Sequence, residues 1–166
     1  MEQLISGVVS GVIASVIFAV ILIAIKPRMK ISDNICISKT DEGLIIAKIK
    51  IVNFSRRMLT NMKYTLHYCV DYDDGLTDIT EIVPKKNFLT TAAAFSKKNT
   101  DYAVRISYEW DNKKYPMEEN TRFVFTLQGT HPFSNTSKCI KREYRKNDLK
   151  IADFETGKSC KFILRH

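Results

Sequence analysis

No CxxC pair joins any of the four cysteines of this sequence, Cys36, Cys69, Cys139 and Cys160. The three histidines, His67, His131 and His166, stand at no ligand spacing from them. Both absences argue against a zinc site, whose ligands recur at short, fixed intervals. No Ser/His/Asp or Cys/His arrangement stands out, so nothing points to nucleophilic catalysis; the chain reads as a non-enzyme with no cofactor, metal or catalytic residue. There are no internal repeats and no low-complexity tract. The most telling absence is local. From Leu4 to Ile25 the chain carries no charge and no proline, and only Ser, Gly and Ala interrupt its large apolar residues.

That run is about 22 residues, enough to cross a ~30 Å hydrocarbon core at 1.5 Å per residue. Overall hydrophobic content, 45%, is ordinary for a globular chain, so the signal lies in the clustering. A cleaved signal peptide fits poorly. The start, Met-Glu-Gln, is acidic rather than basic, the run is long, and "IAIKPR" is a poor cleavage site. A retained transmembrane helix is expected over residues 1–25. Lys26, Arg28 and Lys30 follow it immediately, against Glu2 on the other side, and the positive-inside rule then puts the C-terminal part in the cytoplasm. The expected location is the cell inner membrane, single-pass. In a reducing compartment the cysteines are expected to be free thiols of a core.

Within the run, Gly7, Gly11, Ser15 and Ala19 recur every fourth position, with Ser6, Ser10 and Ala14 in a second row beside them. Small-xxx-small faces let helices approach closely in lipid, so this face is the candidate for helix association.

From Ile31 the period changes to two. "ICIS", "LIIAKIKIVN", "MKYTLHYCVDY", "YAVRISYEWD", "RFVFTLQG", "KCIKREYR" and "CKFILRH" read as strands, separated by turn signals such as "KTDEG", "DYDDG", "GTHPFSN" and "ETGK". "NFLTTAAAFSKKN" reads equally as a short helix or as a strand–loop connection. The fold class is therefore mainly β: a transmembrane helix (1–25), a basic juxtamembrane hinge (26–30) and an antiparallel β-sandwich of seven or eight strands (31–166). On "KCIKREYR" the mixed character of both faces points to an edge or intersubunit strand.

The segment "AIKPRMKISDNICISKTDEGLIIAKIKIVNFSRRMLTNMKYTLHY" resembles the stretch of inward-rectifier potassium channels that joins the inner helix to the cytoplasmic domain. A basic hinge, two short strands, a turn ending in glycine and a strand ending near Asn53 with Arg56 or Arg57 follow in the same order. "ISYEWD" and "RFVFTLQGTHPFSNTSKCIKREYRKNDLKIADF" are similar to two further blocks, with Leu127, Gly129, Tyr144, Leu149 and Phe154 in comparable places. Tyr108 stands where that family has a histidine. The filter, its pore helix and the first membrane helix have no counterpart here. The resemblance implies an immunoglobulin-like sandwich, a homotetramer, and anionic-lipid recognition at the hinge.

The chain carries a formal charge of +8. Lys26, Arg28 and Lys30 are the candidate lipid-facing hinge residues. Arg56, Arg57, Lys138, Lys141, Arg142 and Arg145 are the candidate anion-binding residues, within a wider basic set that includes Lys85, Lys86, Lys97, Lys98, Lys113 and Lys114. "DYDDG" lacks EF-hand spacing and reads as a hairpin turn. "ETGKS" lacks the first glycine of a phosphate loop. The reading is an oligomeric membrane effector or channel-like protein. Its sandwich senses an anionic ligand, a nucleotide second messenger or a lipid, and perturbs or opens the membrane. Small helix-plus-sensor proteins of bacterial antiviral defence are similar in architecture. The alternative is a membrane-tethered binding module or accessory subunit without a pore. Nucleic acid is the disfavoured partner.

Overall fold

Glu2–Ala24 form helix α1, and among the described residues it is the one helix long and apolar enough to cross a bilayer. The computed structural model describes residues 2–40, 43–85, 89–98 and 100–164. Asp41 and Glu42 of the first turn, Lys86, Asn87, Phe88, Asn99 and His166 lie outside them. No part of the span Ile5–Leu22 is buried against the rest of the chain. A helix apolar on all sides, and covered by nothing, needs lipid or other helices around it. Ser10 and Ser15 turn their hydroxyls onto the carbonyls of Ser6 and Gly11, one turn back, which satisfies them within the helix.

Among the described residues ten strands follow: β1 (Met29–Ile31), β2 (Ile35–Lys39), β3 (Ile45–Asn53), β4 (Thr60–Asp71), β5 (Thr77–Ile82), β6 (Ala103–Trp110), β7 (Thr121–Thr130), β8 (Ser137–Tyr144), β9 (Leu149–Phe154) and β10 (Phe162–Leu164). They make two sheets. In the first, β3 is central, with β6 along one edge and β1 and β2 in succession along the other, then β9 and β10. The second runs β5-β4-β7-β8. The named pairs are antiparallel, as expected for an antiparallel sandwich, with one parallel pair, β2 with β9. β9 reaches β2 through a single 3-10 turn, Lys146–Asp148, after β8. β8 belongs to the other sheet, so the chain crosses between sheets there and joins β2 in the same direction.

The inner faces supply one core. Phe123, Phe125 and Leu127 of β7 and Leu66 of β4 are fully buried against Ile49 and Ile51 of β3. Each such side chain contributes about 1.5–3 kcal/mol by leaving water. Tyr144 pins the sheets together: its hydroxyl donates to the Ser32 carbonyl at 2.8 Å, in the kink between β1 and β2. Residues 89–98, the ambiguous stretch, hold no helix; an isolated bridge ties Leu59 to Ala92. β1, β5 and β9 were not among the segments that periodicity marks. β1 and β5 are too short or too polar, and β9 mixes apolar and charged residues on both faces.

The C-terminal hairpin β9–β10 is held by cations. Lys48 pairs with Asp153 at 3.2 Å, and Arg105 donates to the Phe154 carbonyl at 2.8 Å. Lys50 is fully buried and donates to the carbonyls of Glu155 and Ser159. Burial holds the Lys50 pKa below the usual lysine value. "ETGKS" is thus a turn whose carbonyls receive an ammonium. All four cysteines are free, but they do not share one environment. Cys36 and Cys69 are buried, and burial pushes the Cys36 thiol up to about 11. Cys139 is exposed and Cys160 half-buried, so the expectation of core thiols holds for two of the four.

Tyr108 and Tyr144 are both fully buried, and burial raises both hydroxyls above the tyrosine range. Among the described residues, the Tyr144 hydroxyl has a hydrogen-bond partner and the Tyr108 hydroxyl has none. A buried donor without a partner costs about 1–3 kcal/mol. Tyr108→Phe is therefore expected to leave the thermal midpoint of the detergent-solubilised chain unchanged or raised, and Tyr144→Phe to lower it. A lower midpoint for Tyr108→Phe than for Tyr144→Phe would contradict this assignment.

Candidate functional site

The last carbonyls of a helix find no partner within it. Ile25 shows where this one is met. Its N–H still donates to Ile21 and Leu22, at 3.1 and 3.2 Å, so helical bonding runs to Ile25. Pro27 has no N–H to continue the ladder. The Ile25 carbonyl instead accepts from the Ser134 hydroxyl at 2.7 Å and the Thr136 hydroxyl at 2.9 Å. Both come from the β7–β8 hairpin. The two hydroxyls lie 2.7 Å apart, and the buried His131 ring has Nδ1 at 3.4 Å from Ser134 Oγ.

A second clamp follows within three residues. The Arg28 N–H donates to Ser55 Oγ at 2.8 Å, and the Phe54 N–H donates to the Arg28 carbonyl at 2.7 Å. Ser55 is set by the fully buried Asn53. Asn53 Oδ1 accepts from the Ser55 N–H at 2.8 Å. Its Nδ2 faces the carbonyls of Arg57, Ala92 and Ala93 at 3.1, 3.3 and 2.8 Å. Pro27, between the clamps, is buried. β1 begins at Met29, so the expected hinge of residues 26–30 is shorter: Met29 and Lys30 already pair with Asn53 and Val52. Gly129 lets this end close up. A Cβ there would stand 2.7 Å from the Met62 sulfur and 2.9 Å from that of Met29.

Around the joint, Lys26, Arg28, Arg56 and Arg57 are exposed, as are Phe54, Met58 and Phe133. Phe54 stacks on Phe95, which packs on the buried Tyr102. Cations and apolar side chains mixed at the end of a membrane-length helix are suited to a lipid headgroup layer. Lys30 differs: it pairs with Asp33 at 3.5 Å, and Asp33 also takes Arg142 at 3.1 Å.

The six candidate anion-binding residues do not form one cluster. Arg56 and Arg57 sit in the turn against Arg28. Lys138, Lys141 and Arg142 lie along β8, an edge strand as its mixed faces predicted. Arg145 is just past its far end, roughly 25 Å away at ~3.3 Å per residue. Lys141 is engaged with Glu143 at 2.8 Å. Gly7, Gly11, Ser15 and Ala19 lie on the uncovered helix, and nothing stands within 4 Å of a Cβ built on either glycine. "DYDDG" is the β4–β5 hairpin turn, with Gly75 at φ +84°. Among the described residues no group of three or more His, Cys, Asp or Glu side chains is placed to hold a metal.

No family model matches the chain, and no curated protein matches it. The site therefore stands on its geometry. Sequence reading missed Ser134, Thr136 and Ser55, because a hydroxyl in a turn gives no sign of which distant carbonyl it will meet. Asn53 was marked by its place in the "VNFSRR" block.

Asn53→Ala removes its bonds to Ser55, Arg57, Ala92 and Ala93 and leaves the buried Ser55 N–H and the part-buried Arg57 and Ala93 carbonyls without this partner, a loss of about 2–4 kcal/mol. The expected result is a thermal midpoint well below wild type, with Ser134→Ala, at the half-buried hairpin, close to wild type. Equal midpoints for the two variants would contradict the role given to Asn53.

Proposed function

We propose that this is an oligomeric, single-pass membrane protein of the cell inner membrane, with its sandwich in the cytoplasm. The sandwich reads an anionic group at the leaflet surface and acts on the membrane through the helix. The observation that carries this reading is the double clamp at residues 25–28. With Ile25 and Arg28 both bonded to the sandwich, rotation of the sandwich turns the helix end with it. A slack linker would lose that motion; this joint has none.

The ligand class follows from the cations. Lys26, Arg28, Arg56 and Arg57 share the membrane end and bear no intramolecular ion pair among the described residues. Phosphate is the chemistry they fit, whether carried by a lipid headgroup or by a nucleotide such as a cyclic oligonucleotide. The order of helix, basic proline hinge and sandwich is also what the inward-rectifier resemblance implies, and kinship with that family is part of the proposal. The open Gly7–Gly11–Ser15–Ala19 face supports assembly of the helices around a shared axis.

The test is leakage from liposomes containing the full chain, with and without anionic lipid and with cyclic oligonucleotides added outside. The expected outcome is ligand-dependent leakage, reduced at least several-fold in Arg56→Ala/Arg57→Ala and in Ser134→Ala/Thr136→Val. A chain that is monomeric and never leaks would overturn the effector reading and favour the tethered binding module.

A further inference from the structure

The second sheet ends in two unpaired strands of opposite character. β5 is one edge and β8 the other. Residues 72–84, covering the β4–β5 turn, β5 and its exit, carry Asp73, Asp74, Asp78 and Glu81 and no cation, in a chain of net charge +8. Residues 138–150, covering β8 and the start of β9, carry six cations against Glu143 and Asp148. Among the described residues, Asp73 and Glu81 on the first edge, and Lys138, Arg145 and Lys146 on the second, make no ion pair.

Apolar exposure is divided in the same way. Leu76, Ile79 and Val83 on the acidic edge are 66%, 65% and 66% exposed. On the basic flank, Ile151 of β9 is 77% and Ile163 of β10 57% exposed. The two flanks are on opposite sides of the domain. β5 adjoins β6, through the Pro84–Tyr108 bridge, whereas β8 adjoins the β1–β2 kink and β9, through Tyr144 and the Arg142–Asp33 pair.

We propose that the β5 edge of one copy docks on the β8–β9 edge of a second copy of this chain, head to tail, and that successive copies close into a ring about the membrane normal. The proposal rests on the oligomeric reading above and assigns its surface. An exposed edge strand with an apolar face invites pairing, and charge decides the partner. Acidic edge against acidic edge is repelled, as is basic against basic, so two-fold pairing through either edge is disfavoured. The acidic edge against the basic one is attractive. Such a contact joins different patches and so generates either a closed ring or an open filament. All the helices leave the sandwich at one end, where β1 starts. Holding them in one bilayer restricts the copies to rotation about its normal, which selects the ring. The strand directions agree: β5 runs antiparallel to β8 within the sheet, and rotation about the normal keeps it so between copies.

The test uses the full chain in nanodiscs or mild detergent, with mass read by light scattering or native mass spectrometry. Asp78→Lys/Glu81→Lys cancels the net negative charge of residues 72–84 and puts two cations on that edge, and Arg145→Glu/Lys146→Glu, at the same height in the strand register, cancels the net positive charge of residues 138–150 and puts two carboxylates there. Each alone is expected to lose the wild-type oligomer, with an unchanged far-ultraviolet spectrum. Mixed together, or combined in one chain, they are expected to regain it, the mixture only as assemblies that alternate the two variants. Restoration is a readout that misfolding cannot produce. A wild-type oligomer whose mass survives both charge variants would overturn this contact while leaving oligomerisation in place, through the helices. Loss in each variant without restoration would also overturn it. A monomeric wild-type chain would overturn the oligomeric reading itself.

Discussion

The Ile25 carbonyl must find a donor that its own helix does not provide, and most of the arrangement follows from how it does. In water it would be solvated and the helix would be free to swing. Here two hydroxyls of the β7–β8 hairpin take it. They can do so because β7 and β8 run in register to Thr130 and Ser137 and turn at this height. That register is fixed in turn by the core: Phe123, Phe125 and Leu127 alternate inward on β7, and a slip of one residue would expose all three. The packing of the sandwich therefore reaches the helix end through a short chain of strand pairing and hydrogen bonds.

Asn53 plays the equivalent part on the first sheet. It closes β3, receives Ser55, and ties down the two segments that flank the joint. Ser55 then holds the backbone of Arg28. Pro27 is enclosed between these anchors. Its usual effect is to end a helix; in this setting it also fixes φ at one of the two residues between the clamps. The proposed mechanism, in which sandwich rotation moves the helix, depends on this stiffness more than on any single cation.

Much of the fold was legible because it rests on local pattern. The uncharged run gave α1, and alternation in "LIIAKIKIVN" and "RFVFTLQG" gave β3 and β7. The edge position of β8 could be read from Lys138, Ile140, Arg142 and Tyr144 sharing a face with one another but not a common chemistry. What was not legible depends on tertiary contact. β5 is a strand because β4 is long enough to template it, although its own residues are nearly all exposed. The parallel β2–β9 pair requires the crossover after Tyr144, which periodicity does not encode. Lys50 reads as a surface cation and is fully buried, because the carbonyls of Glu155 and Ser159 come from more than a hundred residues away to receive it. The candidate anion cluster was assembled from sequence neighbours, and the strands disperse it: Arg142 goes to Asp33, Lys141 to Glu143, Arg145 lies past the far end of β8, and Arg56 and Arg57 stay beside the hinge.

The central claim is that helix and sandwich are joined without slack. Hydrogen–deuterium exchange on the full chain in nanodiscs reads this directly, through a peptide covering residues 25–31. The amides of Ile25 and Arg28 are both hydrogen-bonded, so the peptide is predicted to exchange on the slow timescale of the β3 peptide 45–53. In Ser134→Ala/Thr136→Val, which leaves the carbonyl of Ile25 without its hairpin partners, it is predicted to exchange faster while β3 is unchanged. Complete exchange of residues 25–31 within seconds in the wild-type chain, as for a free linker, would contradict the account.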